Sequence, residues 1–185
     1  MQVGLILAAG AGSRMGQPKA SLIVDGERLI DRAVANFLNA GIKEVFVVLG
    51  AWQGDVPGAH IIINDQWAQG MGSSLRAGLL TLLENPKYLD VVISLVDLPG
   101  MTSAAIQSVS TSASEIAMGS FSGEPGHPVK CVRKYWPEII ASATGDSGAR
   151  NFLKGRDDIE LINLSGKARG GDIDTPADLA AFNND

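Results

Sequence analysis

An apolar run, Val3 to Leu7, leads straight into Ala8-Ala9-Gly10-Ala11-Gly12-Ser13-Arg14-Met15-Gly16-Gln17-Pro18-Lys19, and this junction limits the possible folds more than any other stretch. A short apolar run bounded by turn residues reads as a buried strand. In the loop that follows, Gly10, Gly12 and Gly16 let backbone N–H groups turn toward an anion with no Cβ in the way. Arg14 and Lys19 put cationic side chains on the same segment. Together these are the parts of a triphosphate cradle. The spacing is not GxxxxGK[ST], because Lys19 follows Pro18 rather than glycine, and it is not GxGxxG opening directly into a helix. A different nucleotide fold is therefore indicated. An ordinary glycine-rich βα turn with two solvated cations accounts equally well for the glycines alone; the cations beside them favour the anion.

Downstream, strand and helix signals alternate. Leu29 to Ala40 places apolar residues at helical spacing and Gly41 supplies a stop. Val45 to Leu49 and Ile61 to Ile63 read as strands, joined through Gly54, Pro57 and Gly58. Ser73 or Ser74 is placed to cap a helix through Leu75, Leu79, Leu80 and Leu83 that ends at Asn85-Pro86. Val91 to Val96 is the next strand, with Asp97 at its carboxyl end, where open α/β sheets place ligands. Ile116 to Met118 and Val129 to Val132 read as two further strands, with Ser120 to Gly126 between them as a loop that shapes a pocket. Tyr135 to Ala143 and Ser147 to Leu153 read as helices, Ile159 to Leu164 as a last strand, and Thr175-Pro176 as the start of a final helix. This alternation predicts a three-layer α/β fold whose mostly parallel sheet becomes mixed near the late strand pair.

The 185 residues, 45% of them hydrophobic, suit one domain spanning 1–185. A net charge of −5 argues against nucleic acid or an anionic membrane as the main partner. The single cysteine, Cys131, rules out an internal disulfide, and its apolar setting favours a buried side chain over a nucleophile. With no long apolar run and no signal-peptide pattern, a cytoplasmic protein is expected.

The loop sequence LAAGAGSRMGQPKASL resembles the signature LAAGxSxRMGxxKxLL of the MobA-like nucleotidyltransferases, especially the molybdenum cofactor cytidylyltransferases. The resemblance continues, in the family's order, through Gly70-Met71-Gly72-Ser73-Ser74-Leu75-Arg76-Ala77-Gly78, Val96-Asp97-Leu98-Pro99, Gly126-His127-Pro128-Val129, Gly145-Asp146-Ser147-Gly148-Ala149-Arg150 and Asp172-Ile173-Asp174-Thr175-Pro176-Ala177-Asp178-Leu179. It implies a Rossmann-like nucleotidyltransferase fold and transfer of a nucleoside monophosphate from an NTP to a phosphorylated acceptor of molybdopterin type, releasing pyrophosphate. It also brings a molybdoenzyme or a cofactor-delivery protein into view as a partner. Ala8-Ala9-Gly10 favours CTP, since guanylyl-transferring relatives more usually carry Leu-Ala-Gly-Gly. GTP with the same acceptor, another NTP with a sugar or alcohol phosphate, and a non-catalytic nucleotide- or cofactor-binding chaperone are the alternatives.

The resemblance assigns nucleotide binding to Leu7, Ala8, Ala9, Gly10, Gly12, Ser13, Arg14, Lys19, Gly72, Ser73 and Ser74, with Arg14, Lys19 and Asp97 as the catalytic group. Nucleotidyl transfer sets a phosphate against a triphosphate, so the difficulty is repulsion and alignment, which cations and a metal relieve. Mg²⁺ takes hard oxygen ligands, usually one or two carboxylates together with substrate phosphates. Asp97, Asp172 and Asp174 are the candidates. Asp97 can instead begin the turn before Pro99. Asp174 can instead cap the final helix, which leaves Asp172 as the ligand. Asp178 lies deeper in that helix and reads as a dipole-stabilising charge. His127, Asp146, Ser147 and Arg150 are the candidates for the acceptor, with a structural histidine and a capping aspartate as their alternatives. Trp52, Trp67 and Trp136 fall in separate segments and read as packing or rim residues.

Overall fold

The structure is a computed structural model that describes residues 1–184. Strand β1 (Gln2–Leu7) leads through the glycine-rich loop to a small ribbon of β2 (Ile23–Val24) and β3 (Glu27–Arg28). Helix α1 (Leu29–Asn39), β4 (Val45–Leu49), β5 (His60–Ile63), α2 (Met71–Leu83), β6 (Asp90–Leu95) and α3 (Ser103–Ser110) follow. Next come β7 (Ile116–Phe121), β8 (Glu124–Val132), α4 (Trp136–Ser142), α5 (Arg150–Leu153), β9 (Ile159–Asn163) and α6 (Pro176–Asn184). The main sheet has the order β5-β4-β1-β6-β8-β7-β9. Neighbours in it are parallel except where β8 pairs antiparallel with β6 and with β7.

Alternation along β1 explains the layering. Ile6 and Ala8 point to a core shared with Leu29, Ile30, Val34 and Phe37 of α1 and with Ile106 and Val109 of α3. Val3, Leu5 and Leu7 point the other way, to Leu75, Leu79 and Leu82 of α2 and Trp136 and Ile139 of α4. A strand buried on both faces needs a continuous apolar run, which is what β1, β4 and β6 carry. Gly78 lets α2 settle onto β1, since a Cβ there would lie 2.8 Å from both methyls of Leu5. Cys131 is buried in the second core, and burial pushes its thiol up to about 12. Gly41, at φ +90°, ends α1 as expected.

Four expectations are corrected. The segment Ser120 to Gly126 is not a pocket-shaping loop: β7 and β8 run through it as one hairpin, Ser120 opposite Pro125 and Phe121 opposite Glu124, with a register shift at Met118/Gly119. Ser122 and Gly123 both have positive φ, 52° and 87°, the geometry of a tight two-residue hairpin turn, so the glycine marks a turn inside a sheet. The helix expected over Ser147 to Leu153 is split into a 3-10 turn, Gly145–Ser147, and the four-residue α5, because Gly148 at φ +52° breaks the helical path. The helix expected from Tyr135 begins one residue later, after a 3-10 turn Arg133–Tyr135. Neither Ser73 nor Ser74 caps α2: Gly70, at φ +97°, holds that position, and the serines lie buried in the first turn.

Candidate active site

Strands β1 and β6 pair residue for residue from Gln2↔Asp90 to Leu7↔Leu95, so both chains leave the sheet at the same level. The glycine-rich loop rises from one strand end and Val96-Asp97 from the other, and the Val96 N–H donates to Leu7 O at 3.2 Å. Between them opens a cavity of 390 Å³. Its walls include Leu7 to Arg14, Lys19, Ser74, Asp97, Asp146 and Asp174. Gly12, at φ +61°, folds the loop back. The N–H groups of Met15 and Gly16 both donate to its carbonyl at 2.9 Å, and a Cβ on Gly12 would lie 2.0 Å from Gln17 O. Nothing lies within 4 Å of the place a Gly10 Cβ would take, so the backbone there is open to a ligand.

The charged side chains form one chain of contacts. The Lys19 ammonium donates to Asp97 Oδ2 at 2.8 Å and also to Asp174 Oδ1. Asp174 Oδ2 receives the Arg14 guanidinium at 2.7 Å. Lys19 is largely covered and Arg14 projects into solvent, with side-chain exposures of 14% and 72%. Burial draws the Lys19 ammonium down, but hydrogen bonds to Asp174 and Asp97 outweigh it and leave the group above its ordinary value. The Lys19 hydrogen bond, aided by the charges of Lys19 and Arg14, holds the Asp174 carboxyl below the usual carboxylate range. Asp97 Oδ1 is buried with no hydrogen-bond partner.

Asp97, Asp172 and Asp174 bring carboxylate oxygens within 4.8 Å of one another. The local cause is Ile173, which is 1% exposed in the core and donates its N–H to Asp97 O at 2.9 Å. With that residue anchored, its two neighbours are held at the strand end. The final helix is capped without Asp174: the Thr175 and Asp174 N–H groups both donate to Asp178 Oδ2, at 2.7 and 3.1 Å, and the Asp178 N–H returns to Thr175 Oγ1 at 3.3 Å. Asp178 is therefore the helix-terminal charge that its position suggests, and Asp174 is left facing Lys19. A buried, unpartnered carboxylate oxygen beside two further carboxylates is a hard-oxygen donor set that fits a divalent cation of the Mg²⁺ or Mn²⁺ type.

The other expected residues divide. Asp146 reaches the cavity, and its Oδ1 accepts from the Met71 N–H at 3.4 Å; Gly70 makes room, since a Cβ there would lie 2.5 Å from that oxygen. Ser147 and Arg150 do not line the cavity: the Ser147 hydroxyl donates to Thr144 O at 2.6 Å, and Arg150 stands exposed on α5. His127 also lies off the cavity wall, with Nδ1 at 3.3 Å from Ile93 O, and burial pushes its pKa down. Ser74 lines the cavity but Gly72 and Ser73 do not. A Gly72 Cβ would lie 2.8 Å from Thr144 N, so that glycine serves helix packing. Asp172 lies beside the cavity rather than on its wall. Trp67, Ala68 and Met71 complete the wall and were not among the expected site residues. Trp67 sits in a 3-10 turn with its Cβ over Gly50, where any side chain would clash at 2.5 Å. That glycine–tryptophan contact bridges two distant segments and leaves no periodic mark in the sequence.

Comparison with known proteins agrees with this geometry. The sequence profile of the MobA-like NTP transferase domain matches residues 4–160. The chain is 33% identical to nicotine blue oxidoreductase of Paenarthrobacter nicotinovorans over 189 residues, covering 93% of this chain and 91% of that protein. It is 31% identical to a molybdenum cofactor guanylyltransferase of Sinorhizobium fredii over 146 residues, 74% of this chain, and spans 64% of that protein's length. The fold superposes on that of Rv0371c from Mycobacterium tuberculosis H37Rv with a TM-score of 0.83 and 22% identity, covering 100% and 98% of the two chains. A manganese complex of that same protein superposes with a TM-score of 0.75, at 20% identity over 99% and 98% of the chains.

Proposed function

Because the chain belongs to the MobA-like NTP transferase family, we propose that it transfers a nucleoside monophosphate, CMP from CTP in preference, to a phosphorylated acceptor of molybdopterin type and releases pyrophosphate. The observation that carries this reading is the contact chain Arg14–Asp174–Lys19–Asp97, set around a cavity whose floor is the glycine-rich loop. A binding protein would gain little from a desolvated carboxylate with an unpartnered oxygen, whereas a phosphoryl-transfer site needs a place where positive charge is received.

In the proposed reaction an acceptor phosphate oxygen attacks the α-phosphorus, and the bond from that phosphorus to the bridging oxygen of pyrophosphate breaks. No side chain has to remove a proton, since a phosphate monoester is largely ionised above about pH 6. Lys19 and Arg14 neutralise the phosphates and hold them in line. Asp97, with Asp172 or Asp174, would hold the metal, which supplies positive charge at the triphosphate. Backbone N–H groups of the glycine-rich loop complete the cradle. Ala9, where guanylyl-transferring relatives more usually carry glycine, supports CTP. The reading places the whole reaction in one domain spanning 1–185, acting in the cytoplasm beside a cofactor-delivery or molybdoenzyme partner. Among the described residues no helix is long and apolar enough to cross a membrane.

A screen of four NTPs against molybdopterin-type and sugar-phosphate acceptors, with Mg²⁺ present or chelated, tests donor, acceptor and metal together. Pyrophosphate release that needs CTP, a molybdopterin-type acceptor and the metal is the expected result; none with any pair overturns the reading. A second reading, drawn from the 33% identity to nicotine blue oxidoreductase, is that the chain shares the activity in that protein's name. It predicts substrate oxidation or reduction with no pyrophosphate.

A further inference from the structure

Asn64 follows the end of β5 and is 6% exposed. Its amide has a defined orientation, because Oδ1 accepts the Gln66 N–H at 3.0 Å and the opposite end must therefore be the NH₂ group. That group donates to Ser73 Oγ at 2.9 Å and to Ser74 Oγ at 3.0 Å, which uses both of its hydrogens. The two serines then differ. Ser73 directs its own proton to the carbonyls of Gly70 and Gln66, at 2.8 and 2.9 Å, away from the cavity. Ser74 accepts from Asn64 in the same way, yet no acceptor among the described residues takes its proton. It is 5% exposed and lines the cavity beside Trp67 and Met71.

We propose that Asn64 is a positioning residue that fixes the Ser74 hydroxyl as a hydrogen-bond donor into the cavity. There it reads an acceptor on the heterocyclic base of the nucleotide, a ring carbonyl or an unprotonated ring nitrogen. The inference rests on the nucleotide reading of the cavity and adds to it the polarity of one contact. An amino group presented to the same point would meet a donor and be disfavoured, because a buried donor–donor contact leaves both groups unpaired. Asn64 touches no ligand in this arrangement; it acts through Ser74.

Asn64→Asp reverses the polarity at nearly constant shape. Its carboxylate accepts from both serines, turns the Ser74 proton inward and leaves lone pairs facing the base. Calorimetric titration of wild type, Asn64→Asp, Ser74→Ala and the double variant with CTP and Mg²⁺, with thermal melting as the fold control, tests the inference. The expected result is an affinity loss of about tenfold for Asn64→Asp and no further loss on adding it to Ser74→Ala. Wild-type affinity in Asn64→Asp, or losses that add in the double variant, overturns the inference. If Asn64→Asp does not fold, Asn64→Ala takes its place; a loss that persists undiminished in the Ser74→Ala background then overturns it. Failure of the wild type itself to bind any NTP overturns the nucleotide reading, and this inference falls with it.

Discussion

Lys19 is the residue on which the site turns, since one ammonium joins two carboxylates that lie 78 and 155 positions after it. Asp97→Asn keeps the shape and removes the charge. It is expected to lower pyrophosphate release by a factor corresponding to several kcal/mol and to abolish its dependence on Mg²⁺ concentration, with an unchanged circular dichroism spectrum. Near-wild-type rates would make Asp97 a turn residue. Lys19 also sets an acid signature. The Asp174 carboxyl is depressed in the folded state, so its contribution is present above the unfolded value of about 4 and is lost as pH falls through the lower folded value. Lys19→Met should therefore shrink the gain in urea-denaturation stability between about pH 3 and pH 6, with the two proteins converging at the acid end. An undiminished gain would show that Lys19 does not hold Asp174. At this scale the sequence singles out the glycine-rich loop and Asp97, and both line the cavity. It was silent on Asn64, whose Asn-Asp context reads as an ordinary turn, and it gave Trp67 only as a packing or rim residue, because its partner Gly50 lies in another segment.

Among the elements, α2 depends most visibly on a distant side chain. The Arg133 guanidinium reaches its carboxyl end, donating to Leu83 O at 2.6 Å, Asn85 O at 2.9 Å and Tyr88 O at 3.0 Å. A helix ends with unsatisfied carbonyls and a partial negative charge, and a forked cation answers both. Arg133→Met is expected to cost about 3 kcal/mol by chemical denaturation, while nucleotide affinity per folded molecule stays unchanged because α2 meets the cavity at its other end. A cost below about 0.5 kcal/mol would show the carbonyls to be equally well served by water. Regular elements with continuous apolar runs, β1, β4 and β6, were readable to within a residue. The tight turn of the β7–β8 hairpin and the broken helix at Gly148 were not, because glycine marks a tight turn, a close approach and a loop with the same letter. Which of these applies is decided by neighbours from elsewhere, such as the Leu164 methyl and His127 O, 2.5 and 2.6 Å from the place a Gly119 Cβ would take.

For the whole molecule, ligand binding and folding are coupled, since a nucleotide held between the ends of β1 and β6 stabilises only the native state. CTP with Mg²⁺ should raise the melting temperature more than GTP does at equal concentration; the reverse order would overturn the donor preference. Strand order could not be read from periodicity, which is blind to which strand lies beside which; the late strand pair marked where the sheet becomes mixed, and the family resemblance supplied the Rossmann-like class. Asp174 lies 155 positions after Lys19, and Ile173 ties its segment to Asp97 O. During translation the glycine-rich loop and Asp97 therefore leave the ribosome long before the carboxylates that complete their charge balance. Until then Asp97 is the one carboxylate of the pair that Lys19 can meet. Lys19 gains its second carboxylate only when the segment around Ile173 docks on the sheet, so the charge balance of the loop is a late product of folding rather than a local property of its sequence.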